Sequence, residues 1–288
     1  MKIGIIGSDN SHAAAFAKAI NVDKLAGFED VQVSHIWGMK DDETQEKVQK
    51  GQIPYVVTNP ADMLNQIDAV MIVLRHGGRH LEYARPFLEA GIPIFIDKPL
   101  ACSTVDARKI LELANKKEFP LTSFSMVRYD SAIQNLKQNL SGIGKTWTGD
   151  VAGVITPNAN EYGGMIFYGI HTTELMLEIF GYGVEKIYAT HRNDNTIAIA
   201  SYPNAVVTMH FMGQSSYLFS VIVHGQEKSL YQAADAGDYL QQSLKRMLHL
   251  FQTGETHLSP SQLFEPVAIH EAIESSLRQA KEVEVGKY

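Results

Sequence analysis

The chain is poor in cysteine, in long apolar runs and in clustered positive charge, and each shortage excludes something. A single cysteine, Cys102, rules out an internal disulfide and cannot build a thiolate zinc site alone. A reducing cytoplasm is the expected setting. The longest purely apolar runs are about the length of Ala69–Leu74, against the ~20 residues a membrane-spanning helix needs, so no membrane partner is expected. The short run Ile3–Ile6 is cut off by Gly7-Ser8-Asp9-Asn10-Ser11, which argues against a secretory signal. Lys plus Arg is 25 against 32 Asp plus Glu, a net charge of −7, with no Lys/Arg-rich run; nucleic acid is not an expected partner. The serine-hydrolase elbow, the phosphate-binding P-loop and the His-Glu-x-x-His zinc pattern are all missing, and no metal is expected.

What is present is ordinary globular chain: 288 residues, 45% apolar and 20% charged, enough for two domains. The first 122 residues alternate strand and helix. Lys2–Ile6, Val31–Trp37, Asp68–Leu74 and Ile92–Asp97 read as strands, with Leu121–Phe124 as a last one. Ala13–Ile20, Asp42–Gln49, His80–Ala90 and Thr104–Lys117 read as helices between them. Strands that are continuous apolar runs are buried on both faces, and intervening helices force parallel pairing. The expectation is a Rossmann-type, doubly wound parallel sheet over residues 1–122.

From residue 123 the texture changes. A helix is expected at His171–Phe180, after Gly163-Gly164. Five β-rich stretches follow in close succession, Val184–His191, Thr196–Tyr202, Ala205–Met212, Tyr217–His224 and Lys228–Tyr231, and two helices close the chain. Closely spaced strands predict a C-terminal α/β domain over 123–288 with a mostly antiparallel open sheet.

A strand, then glycine, then a helix is where a dinucleotide's pyrophosphate sits, because backbone N–H groups and the helix dipole converge there. The loop here is Gly7-Ser8-Asp9-Asn10-Ser11-His12. Only the first glycine of the usual three is present; Asp9 and His12 take the other two places, and a carboxylate at Asp9 must turn away from a phosphate. The loop reads equally as a plain turn with Ser8, Asp9 or Asn10 capping a helix. The acidic residue that usually ends the second strand to hold the ribose is replaced by Gly38, with Lys40 nearby to meet a 2′-phosphate or simply solvent. Leu74-Arg75-His76 follows the strand at 68–74, on the side of such a sheet where ligands bind.

At Phe95-Ile96-Asp97-Lys98-Pro99 the chain resembles the Gfo/Idh/MocA oxidoreductases, which carry Glu-Lys-Pro there. The strand Ile67–Val73, His80 opening a helix, the turn Leu88-Glu89-Ala90-Gly91-Ile92-Pro93, Arg128-Tyr129, Gly163-Gly164 before His171, and Gly254 with Ser275-Ser276 resemble the same family in order along nearly the whole chain. The resemblance implies a nucleotide-binding domain followed by a substrate-binding and oligomerisation domain, with NAD or NADP as cofactor and a homodimer or homotetramer as assembly. It implies hydride transfer between nicotinamide and a sugar, polyol or related small molecule. Gly7, Ser8, Asp9, Asn10, Ser11, His12, Gly38, Lys40, Leu74, Arg75, His76, His80, Asp97 and Lys98 would hold the cofactor. Lys98, Arg128, Tyr168 and His171 would meet the substrate.

Of these, Lys98 and His171 are the expected catalytic pair. Lys98 would stabilise a developing alkoxide, and His171, titrating nearest neutrality, would carry the proton. The family often has Asp four residues before this His; here Phe167 stands there. Tyr168 or Glu174 is a candidate replacement, Glu174 being equally readable as a solvated helix charge. With the altered glycine loop, this keeps a second reading open: a non-catalytic relative that senses a nucleotide or sugar, or binds a partner protein.

Overall fold

The structure, a computed structural model, describes residues 1–117, 119–156, 159–235 and 237–288. The chain divides into two compact units. The first comprises Met1–Ala101, Val105–Ser123 and Ser243–Ser259; the second comprises Cys102–Thr104, Phe124–Gln242 and Pro260–Tyr288.

The first unit is built in the order β1 (Lys2–Ile6), α1 (Ser11–Ala17), β2 (Gln32–Trp37), α2 (Asp41–Gly51), β3 (Tyr55–Val56), β4 (Ala69–Ile72), α3 (His80–Ala90), β5 (Ile94–Ile96), α4 (Thr104–Lys117) and β6 (Leu121–Thr122). All pairings are parallel and the sheet order is β3-β2-β1-β4-β5-β6. That is the doubly wound order, with its reversal between β1 and β4. β4 and β5 are buried at every residue, and β1 at all but Lys2, which is why they read as continuous apolar runs. The helix expected at Ala13–Ile20 starts earlier, at Ser11, and gives way after Ala17 to a π-helical turn, Lys18–Val22. Asn21 explains the wider turn. Its buried amide donates to Val33 O and Gly51 O and accepts from Val33 N, each at 2.9 Å. It thereby satisfies the strand backbone where the β1–β2 register slips between Ile3 and Gly4.

The second unit contains α5 (Ser131–Gln138), β7 (Thr146–Val154), α6 (Ile166–Phe180), β8 (Lys186–Arg192), β9 (Asn195–Ser201), β10 (Val206–Met212), β11 (Phe219–Gly225) and β12 (Ser229–Ala233). After α7 (Tyr239–Thr253), most of which belongs to the first unit, come α8 (Pro260–Gln279) and β13 (Val283–Glu284). The sheet order is β12-β11-β7-β10-β9-β8-β13, and only β7–β10 is parallel. Burial alternates along β8, β9 and β10, as in a sheet packed on one face. The packed face lies against α6 and α8; Tyr188, Ile197 and Val206 are exposed. Among the described residues, no helix is long and apolar enough to cross a membrane.

α6 starts at Ile166, five residues before the expected His171. Gly163 and Gly164 adopt positive φ of 99° and 80°, so the left-handed turn ends there and the helix follows at once. His171 is therefore mid-helix. Gly169 lies within the helix because a Cβ there would sit 2.9 Å from the His270 ring.

Candidate active site

In the first unit the loops leaving β1 and β4 touch. Gly7 has φ +114°, and a Cβ on it would lie 2.8 Å from Leu74 N, so any side chain would push the two loops apart. Asn10 caps α1, its Oδ1 accepting from His12 N at 3.1 Å. Asp9 turns its carboxylate onto Arg75 N, at 3.4 and 3.3 Å, the turn-away that phosphate binding requires of it. Buried Ser8 accepts from Thr44 Oγ1 at 3.0 Å. Gly38 passes so close to this pair that a Cβ would be 2.1 Å from both hydroxyl oxygens. The acid usual at this point is missing because there is no room for a side chain. Lys40 is exposed and pairs with Glu43 at 2.8 Å. Ser11, exposed, opens α1.

His12 does not wedge α1 away from the sheet. Its Nδ1 lies 2.7 Å from Asp97 Oδ2, which also accepts from Asn10 Nδ2 at 3.1 Å, and its ring stacks on Phe16 at 5.3 Å. Burial pushes the Asp97 carboxyl up, but the charges of His12 and Lys98 outweigh it and hold it at about 2. Asp97 Oδ1 is buried without a hydrogen-bond partner among the described residues. Lys98 stands two residues past β5 and is 6% exposed.

His80 and His76 serve the loops. His80 is fully buried, with Nε2 2.9 Å from Leu74 O and Nδ1 2.9 Å from Pro99 O. It braces the strand ends from behind and presents no surface to a ligand, which corrects its expected place among the cofactor contacts. Burial holds its pKa below the ordinary histidine value, against the pull of those carbonyls and Asp97. His76 Nδ1 accepts from Gly78 N at 3.0 Å and caps the turn before α3.

In the second unit, His171 is 6% exposed and its Nδ1 lies 2.6 Å from Ser125 Oγ. Tyr168 and Phe219 meet its ring edge-on, at 5.5 and 5.3 Å. Phe167 is buried between Tyr162 and Tyr168. Glu174 is no solvated charge: it is 3% exposed and its Oε2 accepts from Ser125 N at 2.7 Å. Ser125 stands between Glu174 and His171, its N–H on the one and its hydroxyl at the other.

Arg128, expected at the substrate, is 1% exposed and committed elsewhere. Its Nη1 donates to Glu174 at 3.2 Å, its Nε to Glu178 at 2.9 Å and its Nη2 to Tyr182 OH at 2.7 Å. Five donors in a rigid fork suit this buried cluster of acceptors, so Arg128 supports the site from within. Glu178, which also pairs with Lys137 at 2.6 Å, has its pKa lowered: burial opposes ionisation, and Arg128 and Lys137 overcome it. Burial pushes Glu174 up to about 7, against Arg128 and the Ser125 N–H. Ser125, Glu178 and Tyr182 were not foreseen. Glu174 and Glu178, one turn apart on an otherwise apolar helix, are the signal that was available for the cluster.

The first unit's loops fit a dinucleotide. The Gly7 cradle, Asp9 turned aside and a buried carboxylate oxygen still unbonded at Asp97 leave the crevice at the β1–β4 reversal lined by backbone and polar groups. A family model described as an oxidoreductase family with an NAD-binding Rossmann fold matches residues 1–124. Residues 1–124 belong to the Gfo/Idh/MocA oxidoreductase family. An inositol 2-dehydrogenase of Agrobacterium fabrum is 28% identical over 143 residues, 48% of this chain and 40% of the relative. An uncharacterized oxidoreductase of Escherichia coli is 26% identical over 133 residues, 42% of this chain and 38% of the relative. The matched stretches thus span less than half the length of these curated relatives. The fold likeness extends further. The structure of scyllo-inositol dehydrogenase from Lactobacillus casei with bound NAD(H) and scyllo-inositol superposes with a TM-score of 0.85 at 15% identity, covering 99% of each chain.

Proposed function

We propose that this Gfo/Idh/MocA chain is an NAD(P)-dependent oxidoreductase that moves a hydride between a nicotinamide and an oxygen-bearing carbon of a sugar, polyol or related small molecule. The observation that carries the reading is Gly7 packed against the Leu74 backbone at the reversal of a doubly wound sheet, with Lys98 at the end of the next strand. The inositol dehydrogenases among its relatives support the substrate class.

The N–H groups of Ser8 to Ser11 would receive the pyrophosphate, with Asn10 holding the loop's shape and His12 tying it to Asp97. Leu74 and Arg75 would line the same crevice. Because Gly38 offers no carboxylate to the ribose, the choice between NAD and NADP rests on Lys40, whose ammonium suits a 2′-phosphate. A bound nicotinamide would supply the hydride acceptor or donor. Lys98 would orient a substrate oxygen and stabilise its negative charge, and His171 is the candidate proton carrier of the second unit. Tyr168 would contact the substrate beside His171. The exposed Tyr188, Ile197 and Val206 support a homodimer or homotetramer, and the single cysteine supports a cytoplasmic setting.

The test is a panel of cyclitols, sugars and polyols with NAD+ and NADP+, followed by reduced-nicotinamide absorbance. Turnover that falls by about 100-fold or more in Lys98→Ala, with cofactor binding retained, supports the reading. Saturable cofactor binding with no turnover on any member supports the sensor reading instead.

A further inference from the structure

We infer that Arg79 is a specificity-determining residue that receives the 2′-phosphate of NADP(H), and that this chain therefore prefers NADP(H) to NAD(H); this rests on the nucleotide-binding reading above.

In a doubly wound sheet the residue that ends β2 faces the adenosine ribose. Gly38 stands there and admits no carboxylate. Its neighbour Met39 is touched from a distant part of the chain, for Arg79 Nη1 lies on the Met39 sulfur. Arg79 closes the short turn Gly77–Arg79 that follows β4. A guanidinium from the β4 loop thus stands at the end of β2, where an acid would otherwise hold the ribose hydroxyls.

The guanidinium is held in place without being neutralised. Nη2 donates to Tyr83 Oη at 2.6 Å, and the guanidinium carbon lies 4.9 Å from the centre of the Tyr83 ring. That ring packs on Trp37 at 4.8 Å, and Trp37 is anchored through Nε1 on Thr58 O at 3.3 Å. Two aromatic side chains therefore fix the fork, and at 36% exposure a ligand can reach it. Its other partners are poor. A thioether is a weak acceptor. Glu82, 64% exposed and 3.8 Å from Nε, is beyond hydrogen-bonding distance and solvated. A phosphate offers charged oxygens in place of one sulfur, and a guanidinium meets it with two N–H groups side by side. An NAD ribose presents only neutral hydroxyls to the same fork, and the bond to a charged acceptor is the stronger.

Helix stability does not account for Arg79. It precedes α3 and makes no side-chain cap, and a cation at a helix N-terminus opposes the dipole. A residue that breaks a local rule, on the side of the sheet where ligands bind, marks a function. Lys40 is the weaker cation here. It is 68% exposed and pairs with Glu43 at 2.8 Å, so it adds charge without a fixed direction.

The test is calorimetric titration of the full wild-type chain with NADP+ and NAD+, which differ only in the 2′-phosphate, repeated in Arg79→Ala and Arg79→Lys. The expected result is tighter binding of NADP+ by the wild type, with a preference that shrinks as salt is raised. Arg79→Ala should weaken NADP+ by roughly 10- to 150-fold and NAD+ far less. Arg79→Lys should keep part of the preference, since a point charge replaces a fork. Equal or tighter binding of NAD+ by the wild type overturns the proposal whether or not the variants fold. So does an Arg79→Ala protein in which both dinucleotides weaken alike, the mark of a residue that only stacks. No turnover enters the measurement. If neither dinucleotide binds the wild type, the nucleotide reading fails and the role of Arg79 with it; if both bind without preference, the role of Arg79 alone fails.

Discussion

His12 Nδ1 lies 2.7 Å from Asp97 Oδ2, joining the first turn of α1 to the end of β5. In a regular glycine loop, α1 is fixed to the sheet by close backbone packing at the third glycine. Here a side chain occupies that place and the loop is tied through a charged hydrogen bond to a buried carboxylate instead. The same carboxylate precedes Lys98, so one residue links the loop expected at the pyrophosphate to the residue expected at the reacting oxygen.

The low pKa of Asp97 sets a stability that depends on pH. Its folded value, about 2 against the ordinary 3.8, means the ionised form is favoured by folding. That stability is present above the unfolded value and is lost as pH falls through the folded one. Its size is roughly 2 kcal/mol. Asp97→Asn should therefore melt earlier than wild type at pH 6, and the gap should close between about pH 4 and 2. Thermal melts across that window check it; a gap of constant width would show that Asp97 is not ionised by its surroundings.

Arg128 bridges two buried carboxylates, Glu174 and Glu178. Arg128→Ala should destabilise the chain by about 3–5 kcal/mol, since it strands buried charge. Urea unfolding measures this, and a loss below about 1 kcal/mol, typical of an exposed pair, would place Arg128 in solvent.

Glu174 has the opposite linkage to Asp97. Its folded value is raised to about 7, so its contribution is fully present below the ordinary carboxylate range and is lost as pH rises through about 7. Glu174→Gln does not titrate. Wild type should therefore outlast the variant by a wider margin at about pH 5 than at about pH 8. Equal margins at both would mean that Glu174 stays ionised throughout.

Much of the first unit was legible because its strands are buried on both faces, and such strands write themselves as apolar runs. β4 and β5 are examples. The site was legible only where residue type and strand position coincide, as at Gly7 and Lys98. The rest depends on contacts distant in sequence. His12 and Asp97 are 85 residues apart, and Ser125 and His171 are 46; nothing local to Ser125 marks it. Gly38 reads in sequence as a missing acid, and the structure shows a position with no space for one. Arg128 reads in sequence as a substrate contact because the carboxylates that hold it, a turn apart on α6, lie 46 and 50 residues away.

Gly7→Ala separates backbone strain from ligand binding. Its Cβ would meet Leu74 N at 2.8 Å in a left-handed backbone, costing ~1–3 kcal/mol. Gly91, also at positive φ, has nothing within 4 Å of an added Cβ, so Gly91→Ala should lose only the conformational part, ~1 kcal/mol. Only Gly7→Ala should also weaken nicotinamide binding. Melting curves with and without nucleotide check both, and equal effects on binding from the two variants would remove the β1–β4 crevice from the site.

The central claim is dinucleotide binding at that crevice, and titration of the wild-type chain with NAD+, NADH, NADP+ and NADPH, by calorimetry or nicotinamide fluorescence, tests it most directly. The account predicts saturable binding of at least one form with one site per chain, weakened in Gly7→Ala and retained in Lys98→Ala. No binding of any of the four at millimolar concentration would contradict it.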